Sequence, residues 1–339
     1  MTLLKYDDGA AVKELADILG VRRAAWSKTE RRFIKTYIDD LPGVTVDHYG
    51  NRRVTVGGAK APAILWSSHT DSVHHHGGVQ SIIRDGDMIR LDKNEKQSNC
   101  LGADDGTGVW LMRNMILRGV PGHYIFHRDE ESGGQGSSWV AKHDKKYLEQ
   151  FQCAIALDRK GYHSVITHQG SRCASDAFAV SLASQLGGKF EPDSTGVFTD
   201  TANYTSIIPE CTNLSVGYGG QHCTNEAQNV PFAIDLLNTL CELDVNALTI
   251  QRDPDVVEYD DPWWRGRGKS SAKWSDYYGT EFWDEWGSSS PSTKSYKTSS
   301  YVEYDRLLEL VEAYPDYVAD YLEQSGITAR DLQIALGLK

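Results

Sequence analysis

Four short apolar runs in this chain stop in the same way. PAILWSSHTD, HYIFHRDEE, CAIALDRKG and TNLSVGYGGQHC each string strand-forming residues together and then reach an acid or a histidine. Unbroken apolar runs of this length fit strands buried on both faces, as in a sheet covered by helices. Between the runs the period changes, and segments 106–118, about 136–149 and 173–186 place apolar residues at helical spacing. Ahead of them, Leu15, Ile18 and Leu19 mark one helix that covers a sheet face, and Phe33, Ile34, Tyr37 and Ile38 mark a second. The alternation of Val44, Val46 and His48 breaks at Tyr49-Gly50-Asn51 and resumes at Val54 and Val56, which predicts a hairpin. Alternating strands and helices predict an α/β fold: a three-layer sandwich whose mixed sheet, parallel at its centre, is covered by helices.

The pattern changes after residue 250. Segment 251–301 is nearly without aliphatic residues yet holds Trp263, Trp264, Trp274, Trp283 and Trp286 among the nine tryptophans of the chain, and reads as an aromatic linker with no core of its own. Its aromatic residues are expected to dock on the catalytic domain, a second copy or another protein. Segment 302–339 returns to helical periodicity at Leu307, Leu308 and Val311, then at Tyr317, Val318, Tyr321 and Leu322, and again at Leu332, Ile334 and Leu336, as a small helical C-terminal appendage. A main domain over 1–250 is therefore expected to precede a linker and a helical segment that serves as an oligomer contact, an adaptor or a regulatory tail.

Composition narrows what the main domain does. A net charge of −12 argues against nucleic acid as a partner, because phosphate neutralisation needs clustered Lys and Arg. No apolar stretch approaches the roughly 20 residues that span a bilayer, and the N-terminus, acidic and helical in period, resembles neither a signal nor a transit peptide. Six cysteines scattered without CxxC pairing favour reduced thiols and a cytoplasmic location.

The chemistry lies at the ends of the apolar runs and in the acidic turn LGADDGTGV, which opens a helix. In open parallel sheets, ligands bind beyond the carboxyl ends of the strands. His69, Asp104, Glu131, Asp158 and His222 are therefore expected to converge there, each just after a buried strand. Two imidazoles and three carboxylates suit zinc and, less selectively, manganese or cobalt. One bridging carboxylate, with a histidine and another carboxylate on each ion, accounts for all five and predicts a two-metal hydrolytic site holding two Zn2+, or Mn2+ or Co2+ in their place. Glu130 is the expected base, taking a proton from the attacking water and passing it to the leaving amine. His74, His75 and His76 read as solvated loop histidines, Cys223 as a small buried hydrophobe, and Gly133, Gly134 and Gly136 as a tight turn.

The ordered set HxD, GADD, EE, a later Asp and a final His resembles the zinc-dependent exopeptidases that include the M28 aminopeptidases and the M20 peptidases and deacylases, over roughly residues 10–245. The resemblance implies that His69 and Asp158 bind one metal, Glu131 and His222 the other, and that Asp104, rather than Asp105, bridges them. It also implies that Asp71 orients His69, and that Asp200 takes a supporting or substrate-binding role. Asp158 and His222 are 64 positions apart, leaving no room for the inserted domain of M20 enzymes, and His69 and Asp104 are 35 apart, too few for that of M42 aminopeptidases. A compact domain without a lid is similar to the M28 arrangement, which implies removal of N-terminal residues from peptides through a water shared by two metals. The alternatives are an M20-like deacylase or dipeptidase acting on N-acyl amino acids, and a non-catalytic scaffold that works through its aromatic tail.

Overall fold

The computed structural model describes residues 8–187 and 189–256 of the 339-residue chain. The linker tryptophans and the C-terminal helical stripes lie outside the described residues.

Eight strands form the central sheet: β1 (Thr45–Val46), β2 (Arg52–Val56), β3 (Ile64–His69), β4 (Gly122–His127), β5 (Cys153–Arg159), β6 (Ser164–Ile166), β7 (Glu191–Asp193) and β8 (Glu210–Ser215). Their order is β7-β6-β8-β5-β3-β4-β2-β1. The four middle strands, β8, β5, β3 and β4, run parallel. The hairpin β1–β2 joins antiparallel at one edge through β2 and β4, and β6 pairs antiparallel with β8 at the other. Every residue of β3 and of β8 is buried. The expected mixed sheet, parallel at its centre, is the one observed.

The helices are α1 (Asp8–Leu19), α2 (Lys28–Tyr37), α3 (Ala103–Leu117), α4 (Gln135–His143), α5 (Lys145–Leu148), α6 (Asp176–Leu186) and α7 (Val230–Glu242). Successive strand side chains face opposite ways, and the sheet builds two cores accordingly. Ile64, Trp66, Tyr124, Phe126, Ile155 and Leu157 pack with residues of α1, α3, α6 and α7. Leu65, Ile125 and Ala154 pack on the other face with Val140, Leu148 and Phe151. These are the three layers of the sandwich.

Helix α3 runs between sheet and outer helices with nearly every residue buried. It reaches that depth through Gly108, where an added Cβ would lie 2.4 Å from the Leu157 carbonyl of β5 and 2.3 Å from Asp105 Oδ1. A small sheet of Ile82–Asp85, Met88–Leu91, Tyr218–Gly219 and Ala227–Asn229 sits beside the main one and joins the segment ahead of Asp104 to the segment that carries His222.

Candidate metal centre

The parallel strands end together, and four of the expected groups come from those ends. His69 is the last residue of β3, Asp158 lies one residue before the end of β5, and Glu130 and Glu131 follow β4. Asp104 and His222 do not follow strands of the main sheet directly, contrary to the simple strand-then-ligand expectation. Asp104 stands in the first turn of α3, behind Gly102, whose φ of +73° a residue with a side chain rarely adopts. His222 lies on the loop that joins two paired strands of the small sheet, Tyr218–Gly219 and Ala227–Asn229, itself at φ +64°.

These residues meet. His69 Nε2 lies 3.1 Å from Asp104 Oδ1 and 3.7 Å from Asp158 Oδ1. His222 Nε2 lies 3.3 Å from Asp104 Oδ2 and 3.3 Å from Glu131 Oε2. The Asp104 carboxylate thus presents one oxygen to each imidazole. Asp105 turns away, accepting from the backbone N–H groups of His69 and Gly108. Glu130 Oε2 approaches His69 Nε2 at 3.9 Å.

Behind this group, Asp71 is fully buried, with Oδ1 3.5 Å from His69 Nδ1. The same carboxylate accepts from the N–H groups of Glu130 (3.1 Å) and Glu131 (3.2 Å), so one side chain orients the imidazole and fixes the paired glutamates. Thr199 donates to Asp158 Oδ2 at 2.7 Å. Asp200, 1% exposed, faces His127 Nδ1 at 3.1 Å.

The charges of the protein alone are poorly balanced here. Burial pushes Glu131 up to about 7 and Asp158 to about 6, with the Asp104 charge adding to both. Burial also raises Glu130 well above the carboxylate range; His69 opposes the shift, and Glu131, Asp200 and Asp158 reinforce it. Asp104, although burial acts against its ionised form, is drawn below that range by His222 and His69. His222, beside Asp104 and Glu131, rises to about 11. Asp158 Oδ1 and Glu131 Oε1 are buried with no hydrogen-bond partner. Orphaned carboxylate oxygens that share a cluster with imidazole nitrogens are the donor set a divalent cation satisfies. Ligating atoms of His69, Asp104 and Glu131 lie within 4.8 Å of one another, as do those of His69, Asp105 and Asp158.

Two sequence expectations are corrected. His74 is not a solvated loop residue like the exposed His75 and His76: it is buried, its Nδ1 accepts from the Arg23 backbone N–H, and its Nε2 lies 3.1 Å from Gln80 Oε1. Burial, with Arg23 nearby, lowers its pKa to about 3, so it stays neutral. Cys223 is exposed, because its loop turns outward; none of the six cysteines is paired. The Gly133–Gly134 segment is the expected tight turn, both N–H groups donating to the Glu130 carbonyl. Arg23 and Glu226, both 0% exposed, were given no role by the sequence reading, and both hold the turn of Asp104.

No protein-family model and no curated protein matches the sequence. The fold, however, is shared with known structures. The aminopeptidase PepT of Bacillus cereus superposes with a TM-score of 0.56 at 15% identity, over 69% of this chain and 98% of that one. A tripeptidase from Staphylococcus aureus gives 0.54 at 16% identity, over 70% and 97%. The TET1 peptidase of Pyrococcus horikoshii, which can assemble into a tetrahedron or a large octahedral shell, gives 0.50 at 17% identity, over 68% and 98%.

Proposed function

We propose that this chain is a metal-dependent exopeptidase with two zinc ions, an aminopeptidase that removes N-terminal residues from peptides. The observation that carries the proposal is the Asp104 carboxylate set between two imidazoles, 3.1 Å from one and 3.3 Å from the other, with Asp158 beside the first and Glu131 beside the second. In this reading His69 and Asp158 would hold one ion and His222 and Glu131 the other, with Asp104 available to both. The shared fold of the PepT aminopeptidase and the tripeptidase supports a peptide substrate. The six unpaired cysteines suit the cytoplasm, and the TET1 assembly raises self-association as part of the proposal. Among the described residues no helix is long and apolar enough to cross a membrane.

A pair of divalent ions supplies an acidified water and a Lewis acid for the scissile carbonyl. The side chains of the chain do the rest. Glu130, its N–H held by Asp71 and its carboxylate raised in proton affinity by burial, accepts the proton of the attacking water and returns it to the leaving amine. Asp71 keeps the His69 ring turned with Nε2 toward Asp104. Thr199 fixes the rotamer of Asp158.

Elemental analysis of protein purified without chelator, together with Glu130→Gln assayed on aminoacyl-p-nitroanilides, tests this reading. Two zinc equivalents in both proteins, with turnover reduced at least about 100-fold in the variant, are expected. Turnover of N-acetyl amino acids alone moves the assignment to a deacylase. Absence of bound metal after reconstitution with zinc sinks the catalytic account.

A further inference from the structure

The two halves of the centre are held in different ways. His69 and Asp158 belong to adjacent parallel strands of the main sheet, β3 and β5, paired from Ile64 with Cys153 to Ser67 with Ala156, two residues short of each ligand. His222 has no such support. It is 42% exposed, in a loop whose residues 222–225 are all exposed.

The loop returns to the protein at Glu226, whose side chain is turned into the interior. Its Oε2 accepts from the N–H groups of Leu101 and Gly102, both at 2.9 Å, and its Oε1 from the N–H of Asp104 at 3.1 Å. Three of the four successive N–H groups from Leu101 to Asp104 therefore end on one carboxylate. The other side of that turn is held by Arg23, whose Nη2 donates to the Gly102 carbonyl at 2.8 Å and whose Nε donates to the carbonyl of Thr70, next to His69, at 3.1 Å. The turn is clamped between a buried carboxylate and a buried guanidinium, and the carboxylate belongs to the His222 loop.

We propose that Glu226 is a positioning residue of the metal centre: it locks the His222 loop to the Asp104 turn and thereby sets the half-site of His222, Glu131 and Asp104 Oδ2, and it bears far less on the other half-site, where His69 and Asp158 are held by their own strands and only Asp104 is shared. The inference rests on the two-metal reading above. Its physical basis is the donor count. An ionised carboxylate accepts at both oxygens, so it satisfies all three N–H groups. A glutamine of the same size presents an NH2 group to one side of the turn, facing either the Leu101 and Gly102 N–H groups or that of Asp104, and donor meets donor. At least one of the three bonds is lost, and with it the register between His222 and Asp104. Supporting groups around a metal typically change its affinity 10- to 100-fold.

The test is zinc binding by equilibrium dialysis with elemental analysis, repeated with Co2+ and followed by its visible absorption, on the full chain and on Glu226→Gln. The first ion is expected to bind the variant within about twofold of its wild-type affinity and the second at least about tenfold more weakly. A merely structural carboxylate gives a different result: a lower melting temperature of the chelated protein with both ions weakened alike, or both unchanged. Either of those outcomes overturns the inference. Should Glu226→Gln not fold, Glu226→Asp, which keeps the charge but withdraws it by one methylene, must show the same split to a smaller degree, and no split overturns the inference equally. A wild-type chain that takes up fewer than two ions brings down the two-metal reading and this inference with it. Two ions in the wild type and no split in the variants remove the role of Glu226 alone.

Discussion

Asp71 shows how much of the site rests on one buried side chain. It is the common anchor of His69 and of the Glu130–Glu131 turn, and all three of these partners need it as an acceptor. Asp71→Asn keeps the shape but turns one oxygen into a donor that meets a backbone N–H. A stability loss of about 1–3 kcal/mol follows from the unsatisfied buried groups, and zinc affinity drops at least about tenfold through the freed imidazole. Chemical denaturation and zinc titration check both, and an Asn variant with unchanged affinity removes Asp71 from its supporting role. Residues such as Asp71, Glu130 and Asp158 are legible in the sequence because each stands in a short cluster of ligand-type residues. Arg23 and Glu226 are not, because the backbone groups they hold lie 79 and 125 positions away. His74 and Cys223 were misread for a related reason: adjacent polar residues do not reveal which of them the loop turns inward.

Among the elements, α3 is the one whose placement decides the geometry of the centre, since it carries Asp104 at one end and lies against β5 beside Asp158. Gly108 sets how closely helix and strand approach. Gly108→Ala places a methyl group against the Leu157 carbonyl, which is backbone, and Asp105 Oδ1, part of a buried carboxylate held by the N–H groups of His69 and Gly108. The helix must shift away from β5, at a cost of about 1–3 kcal/mol. Gly219→Ala, where an added Cβ has nothing within 4 Å, is the control, with an expected change within about 0.5 kcal/mol. Equal melting curves for the two variants mean that α3 is not seated as described. Apolar runs announced β3, β4, β5 and β8, and the period change announced α3, α4 and α6. Strands of two to four residues, such as those of the small sheet, offer too few alternations to be seen, and only their partners far along the chain define them.

At the scale of the whole molecule, strand and helix alternation was enough to give the layers and the end of the sheet where the ligand types gather. It could not give the charge balance, which depends on how deeply those groups are buried. Burial holds Glu131 at about 7, Asp158 at about 6 and Glu226 at about 7, all above their ordinary values. The folded chain without metal therefore keeps protons that the unfolded chain has already lost. By linkage its stability is fullest below about pH 4 as far as these three acids are concerned, and it falls as pH rises through about 6 to 7. His222, raised to about 11, acts in the same direction: its contribution is complete below about pH 6.5 and declines on the way to 11. Asp104 opposes them only in stronger acid, where its depressed pKa makes protonation costly. Cation binding requires the same carboxylates and imidazoles deprotonated, so it strengthens as pH rises. The melting temperature in chelator is accordingly expected to fall between pH 5.5 and 8. Zinc at one fixed concentration, about 100 times its dissociation constant at pH 8, adds about 2.7 kcal/mol per site there, or about 2–4 °C per kcal/mol in a domain of this size, and less at lower pH, where it binds more weakly. Thermal melts at four pH values, with chelator and with zinc, measure both slopes. A chelated protein that grows more stable toward pH 8, or a zinc gain that shrinks there, contradicts a centre built from buried acids awaiting a cation.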